Sequence, residues 1–252
     1  DLFREALEEL GPAGDAARRS ELYGNVGFSL WVIGDRAGSV EAHEEAVRLA
    51  PDSDPKVRIS ALAGLARSYM LFGWFGRARP LCEQAVELAR SIGARDLEGH
   101  ALNTLGVTLA GVGKADAAVE AIDASLDLAM ELDLADDIGR AYINRGDILA
   151  WIGYPDRALE STLRGIKEVT ERGMGSSYGP YLRYGGVSFA HQCGEWATAA
   201  ELLAEADRTA SPSAGIDAYR AEYGLGYLVD SGSPEAADVW EEARRAQSQE
   251  PP

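Results

Sequence analysis

Six glycines, Gly34, Gly73, Gly113, Gly153, Gly194 and Gly232, stand 39, 40, 40, 41 and 38 residues apart, and this step constrains the fold more than any other feature of the chain. Self-similarity at a fixed period of about 20–50 residues marks a repeat architecture, in which one supersecondary unit is copied and stacked. Other positions keep the same register. Five residues after each glycine stand Ser39, Ala78, Ala118, Ala158, Ala199 and Ala237; twelve after stand Ala46, Ala85, Ser125, Gly165 and Ala206. Seven before stand Gly27, Ala66, Gly106 and Gly146, and four before stand the larger Leu30, Tyr69, Leu109, Leu149 and Leu228. The segments on either side of each glycine carry apolar residues at i, i+3, i+4 and i+7, the period of an amphipathic helix. The unit is therefore a helical hairpin. Glycine ends its first helix because the chain must enter the left-handed region there, and small residues mark where the two helices cross.

This register predicts an all-α chain: a right-handed α-solenoid of about six hairpins with a period near 40 residues, occupying 1–252 as a single solenoid. An orphan helix of a truncated repeat falls at 1–12, and the hairpins at roughly 15–51, 54–93, 95–133, 135–173, 176–210 and 213–248. Breaker clusters separate them, as at Pro51-Asp52-Ser53-Asp54-Pro55, Gly173-Met174-Gly175-Ser176-Ser177 and Ser211-Pro212-Ser213. The last two hairpins depart from the pattern. Gly185-Gly186-Val187 stands where a large-then-small pair belongs, and Arg244 replaces a small residue.

Asn103-Thr104-Leu105-Gly106 followed by Gly113-Lys114-Ala115-Asp116-Ala117-Ala118, and Asn25-Val26-Gly27 followed by Gly34-Asp35, resemble the helix entries of the tetratricopeptide repeat (TPR). The longer period, with Glu87-Leu88-Ala89-Arg90-Ser91-Ile92-Gly93-Ala94 and Tyr142-Ile143-Asn144-Arg145-Gly146-Asp147, resembles the TPR region of large ATP-binding bacterial transcriptional regulators of the LuxR and maltose-regulator types. That resemblance implies a regulatory binding module whose parent carries an ATPase before it and a helix-turn-helix DNA reader after it. The sequence holds neither. No phosphate loop is present, no basic recognition helix precedes 249–252, and the absent initiator Met fits a segment of a longer protein. The alternative is a free-standing TPR adaptor in complex assembly with no transcriptional role.

The net charge of −17 disfavours nucleic acid and anionic membrane as direct partners, since both call for a basic face. It permits a basic peptide or domain. Neither a long apolar run nor a paired-cysteine framework occurs, so a cytoplasmic protein without membrane spans is expected. Chemistry is sparse. Gly111-Val112-Gly113-Lys114 lacks the leading glycine and trailing hydroxyl of a phosphate loop, and Ser53-Asp54-Pro55-Lys56 stands in an inter-repeat linker. His43, His100 and His191 fall in three different repeats, and Cys82 takes a second-helix core slot. The chain is expected to bind rather than catalyse, with no metal and no cofactor.

The TPR resemblance implies that first helices line a concave groove. Residues of those helices outside the hairpin register are then the partner-binding candidates: Asn25, Phe28, Arg67, Asn103, Arg140, Asn144, Asp147, Tyr181, Tyr184, His191, Tyr219 and Tyr223. Asn25, Asn103 and Asn144 each stand nine or ten residues before their glycine, which also fits hydrogen bonding between repeats. Tyr181 and Tyr184, and Tyr219, Tyr223 and Tyr227, form stripes along one helical face and suit either an interface or a tyrosine-rich core. The groove is expected to take a protein or peptide, a small-molecule effector, or other domains of the parent chain.

Overall fold

A computed structural model of the chain describes residues 2–211 and 213–248. The breaker at Pro212 and the terminal 249–252 lie outside the described residues. Thirteen helices and no strand occur among those described: α1 (Leu2–Leu10), α2 (Ala16–Val32), α3 (Arg36–Leu49), α4 (Pro55–Leu71), α5 (Phe75–Ile92), α6 (Arg95–Gly111), α7 (Ala115–Glu131), α8 (Ala135–Trp151), α9 (Pro155–Glu171), α10 (Gly179–Gln192), α11 (Trp196–Thr209), α12 (Ala214–Asp230) and α13 (Ala236–Ser248). The chain divides into two compact units, Asp1–Leu132 and Asp133–Pro252. The first is built from α1 and three hairpins, the second from three hairpins.

Each hairpin turns at its register glycine. Gly34 and Gly113 have φ of +84° and +77°, and the other four glycines share the left-handed conformation. The amide after each glycine then reaches back five residues: Asp35 N–H donates to Leu30 O at 2.9 Å, Trp74 to Tyr69 at 2.8 Å, Lys114 to Leu109 at 2.9 Å, Tyr154 to Leu149 at 2.8 Å, Glu195 to Ala190 at 2.8 Å and Ser233 to Leu228 at 2.9 Å. Six copies of one cap satisfy carbonyls that a helix end leaves without partners. The helix after the first turn starts on a side-chain cap, where Asp35 accepts from Gly38 N–H at 2.9 Å.

The small residues of the register are among the best buried of those described. Ser39, Ala46, Ala66, Ala78, Ala85, Ala118, Ser125, Ala158, Ala199 and Ala206 are all 0% exposed. At Gly106 the two helices approach backbone to backbone. A Cβ on Gly106 would stand 3.2 Å from the Ala118 carbonyl oxygen and 3.3 Å from the Ile122 nitrogen. Burying these stripes, with Tyr69, Leu109, Leu149 and Leu228 over them, gives each hairpin its share of core. In the irregular fifth hairpin Gly186 does the work of the missing small residue, because a Cβ there would meet Leu202 at 2.9 Å.

Candidate functional site

In the first unit the first helices α2, α4 and α6 line a half-open groove of about 520 Å³, within the size range of small-ligand sites. Its walls include Asn25, Phe28, Trp31, Ser60, Arg67, Leu71, Leu97 and His100. Arg67 lies over both aromatic faces, its guanidinium carbon 5.3 Å from the Phe28 ring centre and 5.3 Å from that of Trp31. The two rings pack at 5.7 Å. A guanidinium so placed keeps its charge and is held by the ring quadrupoles. Phe28 remains 47% exposed, so the floor of the groove is apolar and open.

His43 belongs to second helix α3, yet it also lines this groove. Two glycines let it through. A Cβ on Gly27 of α2 would stand 2.4 Å from Nδ1, and a Cβ on Gly64 of α4 would stand 2.8 Å from Cδ2 and 3.2 Å from Nε2. The imidazole thus fills a slot that side chains on those two helices would close. Nδ1 lies 2.9 Å from the Ser39 carbonyl, which can only accept, so Nδ1 carries the proton. Ser68 Oγ lies 3.0 Å from the same nitrogen. Burial, against the bond to Ser39 and with help from the Arg67 charge, lowers the pKa of the ring. The proton on Nδ1 leaves Nε2, on the Gly64 side, as the acceptor of the neutral ring.

The second unit is different. Tyr181, Tyr219 and Tyr223 pack ring to ring, Tyr181–Tyr219 edge-on at 5.0 Å and Tyr219–Tyr223 stacked at 4.6 Å. The Tyr223 hydroxyl, on α12, donates to Asp147 Oδ1 on α8 at 2.9 Å, a bond between positions 76 residues apart. Burial pushes the Asp147 carboxyl up to about 7, against the opposing pull of the Tyr223 hydrogen bond. His191 sits apart, with Nε2 3.0 Å from Asp230 Oδ2 and its ring 5.0 Å from Trp196.

The proton on Asp147 makes the second unit sensitive to pH. Its folded pKa is raised above the unfolded 3.8, so the contribution to stability is full below about pH 4 and is lost as pH rises toward 7. Between pH 5 and pH 8 the loss should be roughly 3 kcal/mol. Urea midpoints across that range should fall for the native sequence and fall distinctly less for Asp147→Asn; parallel slopes would show that the carboxyl is ionised throughout.

The expected site residues therefore separate. Asn25, Phe28 and Arg67 come together in the first unit's groove, while Tyr181, Tyr219, Tyr223 and Asp147 come together in the second unit. Arg140 pairs with Asp137 at 3.2 Å on its own helix, and Asn144 is half-buried on α8. Two expectations are corrected. Tyr184 is core, 1% exposed, with its hydroxyl donating to Asp207 Oδ1 at 2.7 Å; Asn103 is 0% exposed, so none of its surface is open to a partner. Both stand on first helices packed against several neighbours, so residues outside the hairpin register are buried between repeats. The histidines are also redistributed, since His43 and His100 line one groove although they belong to different repeats. Among the described residues no three His, Cys, Asp or Glu side chains are grouped as a metal would require, and no helix is long and apolar enough to cross a membrane. Cys82 is buried, which pushes its thiol up to about 12 and makes it unreactive.

The sequence matches no family model and no curated protein. Solved structures do match. A Rap protein complexed with competence and sporulation factor superposes with a TM-score of 0.79 at 14% identity, over 98% of this chain and 69% of that one. Aspartyl phosphate phosphatase F from Bacillus subtilis gives 0.70 at 12% identity, over 98% of this chain and 64% of its own length. A thermophilic TPR protein of Thermus thermophilus gives 0.60 at 18% identity, over 83% and 99%. At these identities the likeness is one of fold: the chain is an α-solenoid of TPR-like hairpins.

Proposed function

We propose that this chain is the effector-sensing TPR module of a multidomain bacterial transcriptional regulator, and that the groove of the first unit is where the effector binds. One observation carries this: the groove combines an open aromatic floor, a guanidinium fixed on that floor and a histidine admitted through a two-glycine slot. Such convergence of a few polar groups on an apolar cleft is the usual make-up of a ligand site. The resemblance of the repeat sequences to LuxR-type and maltose-regulator-type proteins supports the parent. A Rap protein of the same fold holds competence and sporulation factor, which supports the use of such hairpins to hold a signal.

Binding and DNA reading are then separate tasks in the parent. A regulator carrying Phe28→Ser together with Arg67→Ser should keep its DNA affinity and lose its response to inducing conditions. An unchanged response in a reporter assay would contradict the assignment. A free-standing adaptor would show no transcriptional change in either form.

A further inference from the structure

One atom in this groove is left unused by the protein. The His43 ring is 7% exposed, and its Nδ1 is committed to the Ser39 carbonyl at 2.9 Å, with Ser68 Oγ at 3.0 Å. Nε2 has no hydrogen-bond partner among the described residues. The side-chain atoms sealed from solvent without a partner belong to Asn103, Thr104, Ser161 and Arg183, and Nε2 is not one of them. Its lone pair therefore opens onto the groove that the ring helps to line. A largely buried acceptor that lacks a partner is costly to keep. Here it shares the groove with apolar surface, Phe28 at 47% and Leu71 at 39% exposure.

From this geometry we infer that the groove is a site for a small, flat, uncharged molecule with an N–H or O–H donor, the donor on His43 Nε2 and the ring of the molecule against Phe28. The inference rests on the assignment of this groove as the binding face and adds the chemistry of what it holds. The direction of the hydrogen bond is set by the tautomer: Nδ1 carries the proton, so Nε2 can only accept. A carboxylate would bring its own lone pairs against that of Nε2. An ammonium could donate, but it would surrender hydration beside a ring that is 7% exposed, a penalty that a neutral donor largely escapes. Size and shape agree. A groove of about 520 Å³ suits a small molecule, and an exposed phenyl face favours offset or edge-on contact with a second ring. Asn25 on the wall can both donate to and accept from a further polar group.

The position of Gly64 fits the same reading. Glycine is disfavoured inside a helix relative to alanine, and Gly64 is not part of the hairpin register. A Cβ there would stand 2.8 Å from Cδ2 and 3.2 Å from Nε2, crowding the edge of the ring that carries the acceptor. Gly64 thus keeps that edge clear, and Gly64→Ala blocks it without touching the aromatic floor.

The test is ligand-observed NMR titration of the purified chain with matched probes: phenol beside anisole, indole beside N-methylindole, and benzoate and benzylammonium for charge. The native chain should bind each free donor about tenfold more tightly than its methylated partner, which leaves Nε2 unpaired. Gly64→Ala should abolish that preference, and so should His43→Phe, which keeps a ring in the slot without the acceptor. Thermal melts run beside each variant, and the paired probes on the native chain decide the matter even where a variant melts lower. Equal binding of free and methylated probes, lost on Phe28→Ser, would overturn the role of Nε2 and leave the groove as the binding face. Tighter binding of benzoate or benzylammonium than of the neutral probes would overturn the uncharged class. No binding of any probe, or binding that Phe28→Ser leaves untouched, would overturn the inference and the groove assignment together.

Discussion

Tyr184→Ala should destabilise the chain by about 3–5 kcal/mol, the cost of emptying a buried aromatic site. Tyr184 is among the largest fully buried side chains, at the centre of a cluster with Val187, Leu202, Leu203 and Ile216. Its hydroxyl donates to Asp207, which Arg220 also binds at 2.9 and 3.0 Å, and Arg220 continues to Glu235 at 2.7 Å. Removing the ring opens a cavity and takes one donor from a carboxylate that joins α10, α11 and α12. Burial, and the neighbouring Asp207, hold the phenol well above its usual pKa, so it stays a donor at any working pH. Urea denaturation followed by far-ultraviolet circular dichroism measures the loss. A change of less than about 1 kcal/mol would place Tyr184 at a surface.

The second large effect is expected at a helix crossing. Gly106→Leu should cost about 3 kcal/mol, the upper part of the range for overpacking. A Cβ at this position already meets Ala118 O at 3.2 Å, Ile122 Cβ at 3.2 Å and Ile122 N at 3.3 Å. Two of these are backbone atoms of α7, which cannot rotate away, so the helices must separate and Ile122, itself fully buried, must move with them. Glu131→Ala on the same hairpin is the control. It removes an exposed pair with Arg95, at 2.5 and 2.6 Å, and should leave the melting temperature nearly unchanged. Equal melting of the two variants would mean that the hairpin register is misplaced.

The repeat was legible because its physics is local. A left-handed cap needs glycine, a close crossing needs a small residue, and both demands return at fixed offsets from Gly34 to Gly232. The groove was legible only in part. Asn25, Phe28 and Arg67 could be placed on first helices, but periodicity within one helix does not tell which neighbours cover it. Tyr184 and Asn103 were lost to that ambiguity. Tyr184 sits on α10, which packs against α8, α9 and α12 besides its partner α11, and Asn103 sits on α6, which packs against α4 and α5 besides its partner α7, so the outward face of each is covered too. His43 was missed for another reason: it is on a second helix, where no groove residue is expected. Its signal was present all the same. Gly64 interrupts the run Ile59 to Leu71 in α4 without belonging to the register, and a glycine with no packing role inside a helix asks what passes beside it. The tyrosines resolved between the two roles open to them, Tyr184 into the core and Tyr181, Tyr219 and Tyr223 into a half-buried stack locked by Asp147.

The central claim, that the first unit's groove is the binding face, is tested most directly by hydrogen–deuterium exchange of the chain with and without a saturating ligand obtained by screening a peptide and small-molecule library against the purified chain. The groove account predicts slowed exchange in α2 and α4 around Asn25, Phe28, Gly64 and Arg67, and no change around Tyr219 and Tyr223. Protection confined to α12, with α2 and α4 exchanging as before, would contradict it and move the site to the tyrosine stack of the second unit.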